Sequence, residues 1–274
     1  MEISLGEISN LSKKLRLNIL KMAKAGGGNA SHFGGALSSV DFLAVLFKYF
    51  FNYSENKNKK FIKDQFILSK GHACMAFYSI LREFNIITEE DLLSFEQDNS
   101  PLMGHPIKNY EKGINFSTGS LGMGLPLGIG ISIANKIKKN NFKTYVVIGD
   151  GECNEGSIWE GAMLAYSRKL NNLIVILDNN KYQQTGSTDT ILKNTNFIQK
   201  WQSFGWDVAE CDGHNYQEIF NCLKFESESK PYIIIANTIK GKGFKFSENN
   251  NEWHHKILTK KLYDEAIKNL DAHE

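Results

Sequence analysis

Proline is scarce in this chain, four in 274 residues, and no internal repeat, low-complexity tract or linker interrupts it. Nothing divides it, so residues 1–274 read as one domain, long enough to bury a substantial core. Cysteine is equally sparse: Cys74, Cys153, Cys211 and Cys222 include no Cys-x-x-Cys pair, which argues against a zinc ribbon or thioredoxin-type redox chemistry. No apolar run reaches membrane-spanning length, and the N-terminus carries Glu2 and Glu7 instead of an apolar signal core. A cytoplasmic location, in a reducing cytosol and without a membrane partner, is the expectation. Neither sign of charge is in excess, the formal net charge being +2, so nothing calls for nucleic acid or an anionic surface. The Lys-rich stretches 57–63 and 136–143 are mixed with Asn and read as solvated faces and loops. Gly-x-x-x-x-Gly-Lys-Ser/Thr and His-Glu-x-x-His are both missing, and the glycines from 119 to 124 follow no clear strand, so they make a poor dinucleotide fingerprint.

Two segments at the ends of two apolar runs are the informative presence. Gly149-Asp150-Gly151 follows Tyr145-Val146-Val147-Ile148, and Asp178-Asn179-Asn180 follows Leu173-Ile174-Val175-Ile176-Leu177. Each run is short, uncharged and β-branched, as buried strands of a parallel sheet are. The stretch from 155 to 170 is long enough for a crossover helix, which makes a βαβ unit with polar residues at both strand C-termini, where ligands of open α/β sheets bind. Asp150 and Asn180 offer hard oxygens suited to Mg²⁺, the shell being completed by water and ligand phosphate. Gly149 and Gly151 let the backbone approach a phosphate closely. Either segment alone is a solvated turn; the matched pair favours a metal–phosphate site.

The rest of the chain alternates helix and strand. Ile8, Leu11, Leu15, Ile19 and Met22 predict an amphipathic helix ended by Gly26-Gly27-Gly28. The stretch 40–51 is apolar nearly all round and predicts a buried or interface helix with Ser39 as N-cap. A strand at 66–68, a helix at 75–83, a capping signal at Thr88 and Asp91, a strand near Val208, a helix at 216–225, a strand at 232–237 and a helix at 258–270 complete the pattern. Gly122, Gly124, Gly128 and Gly130 fall in an apolar segment where glycine costs up to about 1 kcal/mol each, which suggests close packing against another backbone or a cofactor. The fold expected is α/β, a parallel sheet with helices on both faces.

Gly-Asp-Gly followed some thirty positions later by Asn resembles the thiamine diphosphate signature, and the wider text resembles the transketolase family. Ser31-His32-Phe33-Gly34 is similar to its Gly-His-Pro-Gly segment. Phe66-Ile67-Leu68-Ser69-Lys70-Gly71-His72-Ala73, Gly104-His105-Pro106, Ser117-Thr118-Gly119-Ser120-Leu121-Gly122, Lys240-Gly241-Lys242-Gly243 and Trp253-His254 match further blocks in family order. The resemblance implies thiamine diphosphate with Mg²⁺ (or Ca²⁺ or Mn²⁺ in its place), held by Asp150, Asn180 and the main-chain carbonyl of Tyr182. Asn179 is the adjacent alternative to Asn180. The amides of Gly151 and Glu152, with His72 nearby, would meet the diphosphate; Gly119 and Leu121 would meet the aminopyrimidine through the backbone. His32, His105 and His254 would face a donor sugar, where imidazoles near neutral pKa suit oxyanion stabilisation and proton movement. Glu155 corresponds to a subunit-interface position. His214 and His255 match no strong block and read as surface residues. Phe33, replacing proline, is expected to place a bulky ring beside the substrate channel, which bears on the usual sugar-phosphate substrate. The resemblance covers only the diphosphate-binding half of the family. It therefore implies an N-terminal subunit of a split transketolase that moves a two-carbon ketol unit and needs a C-terminal, pyrimidine-binding partner, as α2β2. Half of a 2-oxoacid dehydrogenase or decarboxylase, an enzyme of a specialised sugar pathway, and a catalytically silent scaffold are the alternatives.

Overall fold

The computed structural model describes residues 2–52, 63–193 and 196–271; most of the first Lys-rich stretch, 57–62, lies outside them. The repeat at Ile8, Leu15, Ile19 and Met22 becomes α1 (Leu5–Ala25), closed by the Gly26 amide on the Met22 carbonyl. Then come α2 (Phe33–Leu37) and α3 (Val40–Val45), which widens into a π turn over Leu46–Phe50. Ser39 stands at the expected N-cap position of α3, but its side chain caps no helix amide. Ser39 already has helical backbone angles, and its hydroxyl donates 3.1 Å back to the Gly35 carbonyl. The turn from α2 into α3 keeps helical angles, which leaves the hydroxyl facing back toward α2.

The remaining elements are β1 (Gln65–Leu68), α4 (Cys74–Glu83), α5 (Glu89–Leu93), α6 (Gly124–Ile137), β2 (Thr144–Gly149), α7 (Gly156–Ser167), β3 (Leu173–Asn179), α8 (Thr188–Ile191), α9 (Phe197–Ser203), β4 (Asp207–Asp212), α10 (Tyr216–Lys224), β5 (Tyr232–Asn237) and α11 (Lys260–Asp271). Thr88 and Asp91 form the anticipated capping box at the start of α5. The side chains of the second Lys-rich stretch are solvent-facing, with Lys143 paired to Glu226 at 2.6 Å.

The five strands are all parallel, in the order β1-β2-β3-β5-β4. Side chains alternate across a strand, and the alternation sorts them into two cores. Phe66, Tyr145, Val147, Ile174, Ile176 and Ile234 pack with α1, α3, α4 and α10; Ile67, Val146, Ile148, Val175, Leu177 and Ile235 pack with α6, α7 and α9. Each such side chain contributes roughly 1.5–3 kcal/mol by leaving water. The α6 glycines explain how that helix lies so close to the sheet: a β-carbon on Gly124 would lie 2.4 Å from Ser69 Cβ, and one on Gly128 would lie 2.5 Å from Val146 Cγ2. Gly130 departs from the expectation, since nothing lies within 4 Å of where its β-carbon would be. Parallel strands all present their carboxyl ends at one edge. Ser69 and Lys70 after β1, Gly149 and Asp150 at β2, Asp178 to Asn180 at β3, and Thr238 to Lys240 after β5 meet there.

Candidate active site

At that edge a cleft of about 320 Å³ is lined by His32, His72, His105, Gly119, Leu121, Asp150, Gly151, Glu152, Asn180, Tyr182 and His254. Every site residue read from the sequence borders it. A larger, more open hollow of about 580 Å³ lies against β4 and α10, but none of those residues reaches it, and the chemistry points to the smaller cleft.

The strand ends fix the oxygen donors. Asp150 is buried, with Oδ1 accepting the Gly151 amide at 2.8 Å and Oδ2 accepting the Lys181 amide at 2.5 Å. Burial and the neighbouring Asp178 carboxylate push its carboxyl up to about 7. Asn180 Oδ1 accepts the Tyr182 amide at 3.1 Å, and Asn180 Nδ2 lies 3.4 Å from both Ser38 Oγ and Asp178 Oδ2. Asn179 points the other way and donates to Asn237 Oδ1 at 2.7 Å. Of the two asparagines, Asn180 lines the cleft and Asn179 does not. Gly151 needs its missing side chain, since a β-carbon there would lie 2.7 Å from Gln183 Cγ. Gly119 has φ +151° and a β-carbon there would lie 3.0 Å from His105 Cδ2. Among the described residues no three His, Cys, Asp or Glu side chains gather to hold a metal.

Beneath the cleft lie residues that sequence reasoning does not reach. Lys70 pairs with Asp178, both wholly buried, and Asp178 also accepts from Ser38 Oγ at 2.6 Å and from Thr238 Oγ1. Burial works against that carboxylate, yet Lys70 holds its pKa below the usual range. Glu152, expected to act through its backbone, also turns its side chain inward, with Oε1 accepting from Ser69 Oγ and the Gly122 amide (2.9 Å) and Oε2 accepting from the Gly149 amide (3.1 Å). It ties the Gly119–Gly122 turn to the end of β2.

The histidines form one cluster. The His32 ring centroid lies 5.6 Å from His72, 5.3 Å from His105, 5.4 Å from His254 and 4.5 Å from His255. Lys240 Nζ donates to His254 Nδ1 at 3.0 Å and to Asn251 Oδ1 at 2.9 Å. An ammonium only donates, so His254 Nδ1 accepts and the neutral ring carries its proton on Nε2. Burial first, then Lys240, pushes His254 down to about 3. Burial, then His255 and His105, pushes His32 down to about 4. His72 lies well below its ordinary value, through burial and then Lys70, and His105 is lowered by burial and then His255. Burial and Lys70 bring Lys240 down to about 8. His32 and His254 are therefore neutral near pH 7, with Lys240 beside them.

Two expectations are corrected. The Phe33 ring does not border the channel. It is fully buried behind His32, packed on Phe244, Phe246 and Trp253 with centroids 5.9, 6.2 and 5.3 Å away. His214 is not a free surface residue: Nδ1 meets Asp41 Oδ2 at 2.7 Å, and Nε2 accepts the Ile239 amide at 2.8 Å, fixing the loop that carries Lys240. His255 is exposed, as expected, and its ring lies against His32 and extends the cluster outward. The sequence signal for the buried cations is their place in the matched blocks, Lys70-Gly71 and Lys240-Gly241.

The chain matches the family model described as transketolase, thiamine diphosphate binding domain, over residues 9–271. It is 39% identical over 259 residues to one subunit of the apulose-4-phosphate transketolase of Actinobacillus succinogenes, covering 93% of this chain and 92% of that one. It is 35% identical over 272 residues to the 6-deoxy-6-sulfo-D-fructose transketolase subunit SqwG of a Clostridium species, covering 98% and 97%. The human transketolase is 31% identical over 265 residues, but this chain spans only 42% of its length. The crystal structure of Campylobacter jejuni transketolase superposes with a TM-score of 0.90 at 28% identity, over 98% of this chain and 43% of that one.

Proposed function

The chain belongs to the transketolase family, and on that premise we propose that it is the N-terminal subunit of a two-chain transketolase, transferring a ketol unit from a ketose or ketose phosphate to an aldose. The observation that carries this reading is the convergence of Asp150, Asn180 and the histidine cluster on one cleft, in a chain spanning less than half of the single-chain relatives.

The residues fit thiamine diphosphate and a hard divalent cation. Asp150, Asn180 and the Tyr182 carbonyl are the oxygen donors assigned to Mg²⁺, or to Ca²⁺ or Mn²⁺. The cradle over Gly151, the buried and unpartnered Gln183 Nε2, and the ammonium groups of Lys70 and Lys240 suit a diphosphate. His72 stands beside it, and the backbone of Gly119 and Leu121 faces the aromatic end. The cofactor, when bound, supplies the electron sink for breaking the ketose C2–C3 bond. The protein's own work is positioning and proton handling. His254, its Nδ1 held by Lys240, offers Nε2–H to a sugar oxygen that gains negative charge. His32 and His105 rest neutral, each with one ring nitrogen to donate to and one to accept from the sugar hydroxyls. With Phe33 buried, nothing from that substitution crowds a sugar phosphate.

The remainder of the active site comes from a partner chain, the complex is α2β2, and its location is the cytosol; residues 1–274 act as one domain. Among the described residues no helix is long and apolar enough to cross a membrane. The test is reconstitution with a C-terminal transketolase subunit, thiamine diphosphate and Mg²⁺, assayed for ketol transfer. Activity is expected from the complex and none from this chain alone. Transfer by the chain alone, turnover of a 2-oxoacid in place of a ketose, or no cofactor binding by calorimetry would each overturn the proposal.

A further inference from the structure

Next to the histidine cluster is a second hollow, about 450 Å³, lined by Gly28, Asn29, Ala30, Glu96, Met103 and His255. On its wall, the His255 ring lies 4.5 Å from that of His32, which lines the cleft. Glu96 is held there at some expense. Its backbone has φ +55°, a conformation non-glycine residues seldom adopt. Its carboxylate sits where a side chain on Gly104 would be, since a β-carbon at 104 would lie 2.1 Å from Glu96 Oε1. Gly104 directly precedes His105. Oε2 is buried without a hydrogen-bond partner, and among the described residues no ion pair involves Glu96. A half-buried carboxylate left unpaired is costly unless something else donates to it.

We propose that Glu96 and His255 form a subsite for the hydroxyl groups of the sugar chain beyond the bond being broken. The inference rests on the ketol-transfer reading above. A carboxylate only accepts, so it selects ligands that donate, and a row of sugar hydroxyls does. It repels a phosphate or sulfonate, so the charged end of such a sugar must be directed away from this wall. His255 can donate to or accept from the next hydroxyl and connects the subsite to His32. Asn29, whose Nδ2 donates to the Glu96 carbonyl at 3.4 Å, holds the rim.

The test has two arms. In the first, the isolated chain is titrated with ribitol, a neutral polyol, and the imidazole NMR resonances of His255 and His32 are followed. Saturable shifts are expected in the wild type, weakened in the near-isosteric Glu96→Gln and abolished in Glu96→Ala, with inorganic phosphate producing no comparable shift at His255. Shifts that persist in Glu96→Ala, or phosphate acting as strongly as ribitol, overturn the subsite. In the second, the reconstituted complex is given D-ribose or glycolaldehyde as acceptor. Glu96→Ala should lower kcat/KM for ribose about tenfold or more and leave glycolaldehyde, too short to reach, within about twofold. Equal losses for both acceptors mean that Glu96 only supports the fold, and they overturn the proposal. Ribitol shifts from a complex that transfers to neither acceptor would uphold the subsite while removing the ketol-transfer reading.

Discussion

Replacing Asp178 by Asn tests the frame on which the cleft is built. Lys70 and Asp178 are paired with side-chain exposures of 1% and 0%. Lys70 also donates to the Gly35 carbonyl at 3.2 Å, while Asp178 accepts from Ser38, Thr238 and Asn180. D178N deletes one charge of the pair and leaves an ammonium buried without a counter-ion, which costs about 3–5 kcal/mol. For a domain of this size about 1 kcal/mol corresponds to roughly 2–4 °C, so the melting temperature should fall by about 6–20 °C. The double variant K70M/D178N removes both charges and should recover to within about 1–2 kcal/mol of the wild type, since a buried pair is worth little against a hydrophobic replacement. Urea denaturation at pH 7, where Asp178 is ionised, measures all three. A D178N cost below about 1 kcal/mol, or a double variant no more stable than D178N, would refute the reasoning.

The imidazole resonances of His32 and His254 should titrate near pH 4 and pH 3; an NMR inflection between pH 6 and 7 would contradict this. Because the folded chain resists protonation at these rings, the unfolded chain takes up protons first, and stability should fall as pH drops from about 6.5 toward 4. At Asp41, burial is outweighed by Arg16 and His214, which hold its carboxyl well below the usual range. Its contribution is therefore present above about pH 4 and lost as pH falls toward the depressed folded value. D41N should cost about 3–5 kcal/mol at neutral pH and flatten the dependence of urea midpoints on pH between about 4 and 2; an unchanged slope would count against it. Gly128→Ala should destabilise by about 1–3 kcal/mol through its clash with Val146, whereas Gly130→Ala, facing open space, should stabilise by up to about 1 kcal/mol. Thermal melts in the opposite order would overturn that account of α6.

The strands are legible because buried parallel strands are uninterrupted apolar runs, and the metal–phosphate candidates because they stand at strand ends. What a linear sequence does not supply is direction. Asn179 and Asn180 are chemically alike, and only the fold separates them, Asn180 lining the cleft and Asn179 not. Phe33 resembles a channel wall because its neighbour His32 is one, but the backbone turns between them and buries the ring. Lys70 and Lys240 stand in matched blocks, but nothing local marks them as buried, because a lysine is solvated by default and its burial depends on partners distant in sequence, Asp178 and His254. His214 and His255 lack a local motif, and each gains its role from a contact across the fold.

The strand order has a consequence for how the protein is made. β5 is the last strand to be synthesised, yet it lies between β3 and β4, and β4 pairs only with β5 among the described residues. Until Tyr232–Asn237 leaves the ribosome, β3 keeps an open inner edge and β4 has nothing to bond to. A nascent chain is thus exposed to edge-to-edge association from the completion of β3 until β5 has emerged. Any truncation before residue 232 leaves a sheet that cannot close, however intact the Gly-Asp-Gly segment upstream. Lys240 and its partner His254 both follow β5 in the chain, so the cleft gains this ammonium only after the last strand has been made.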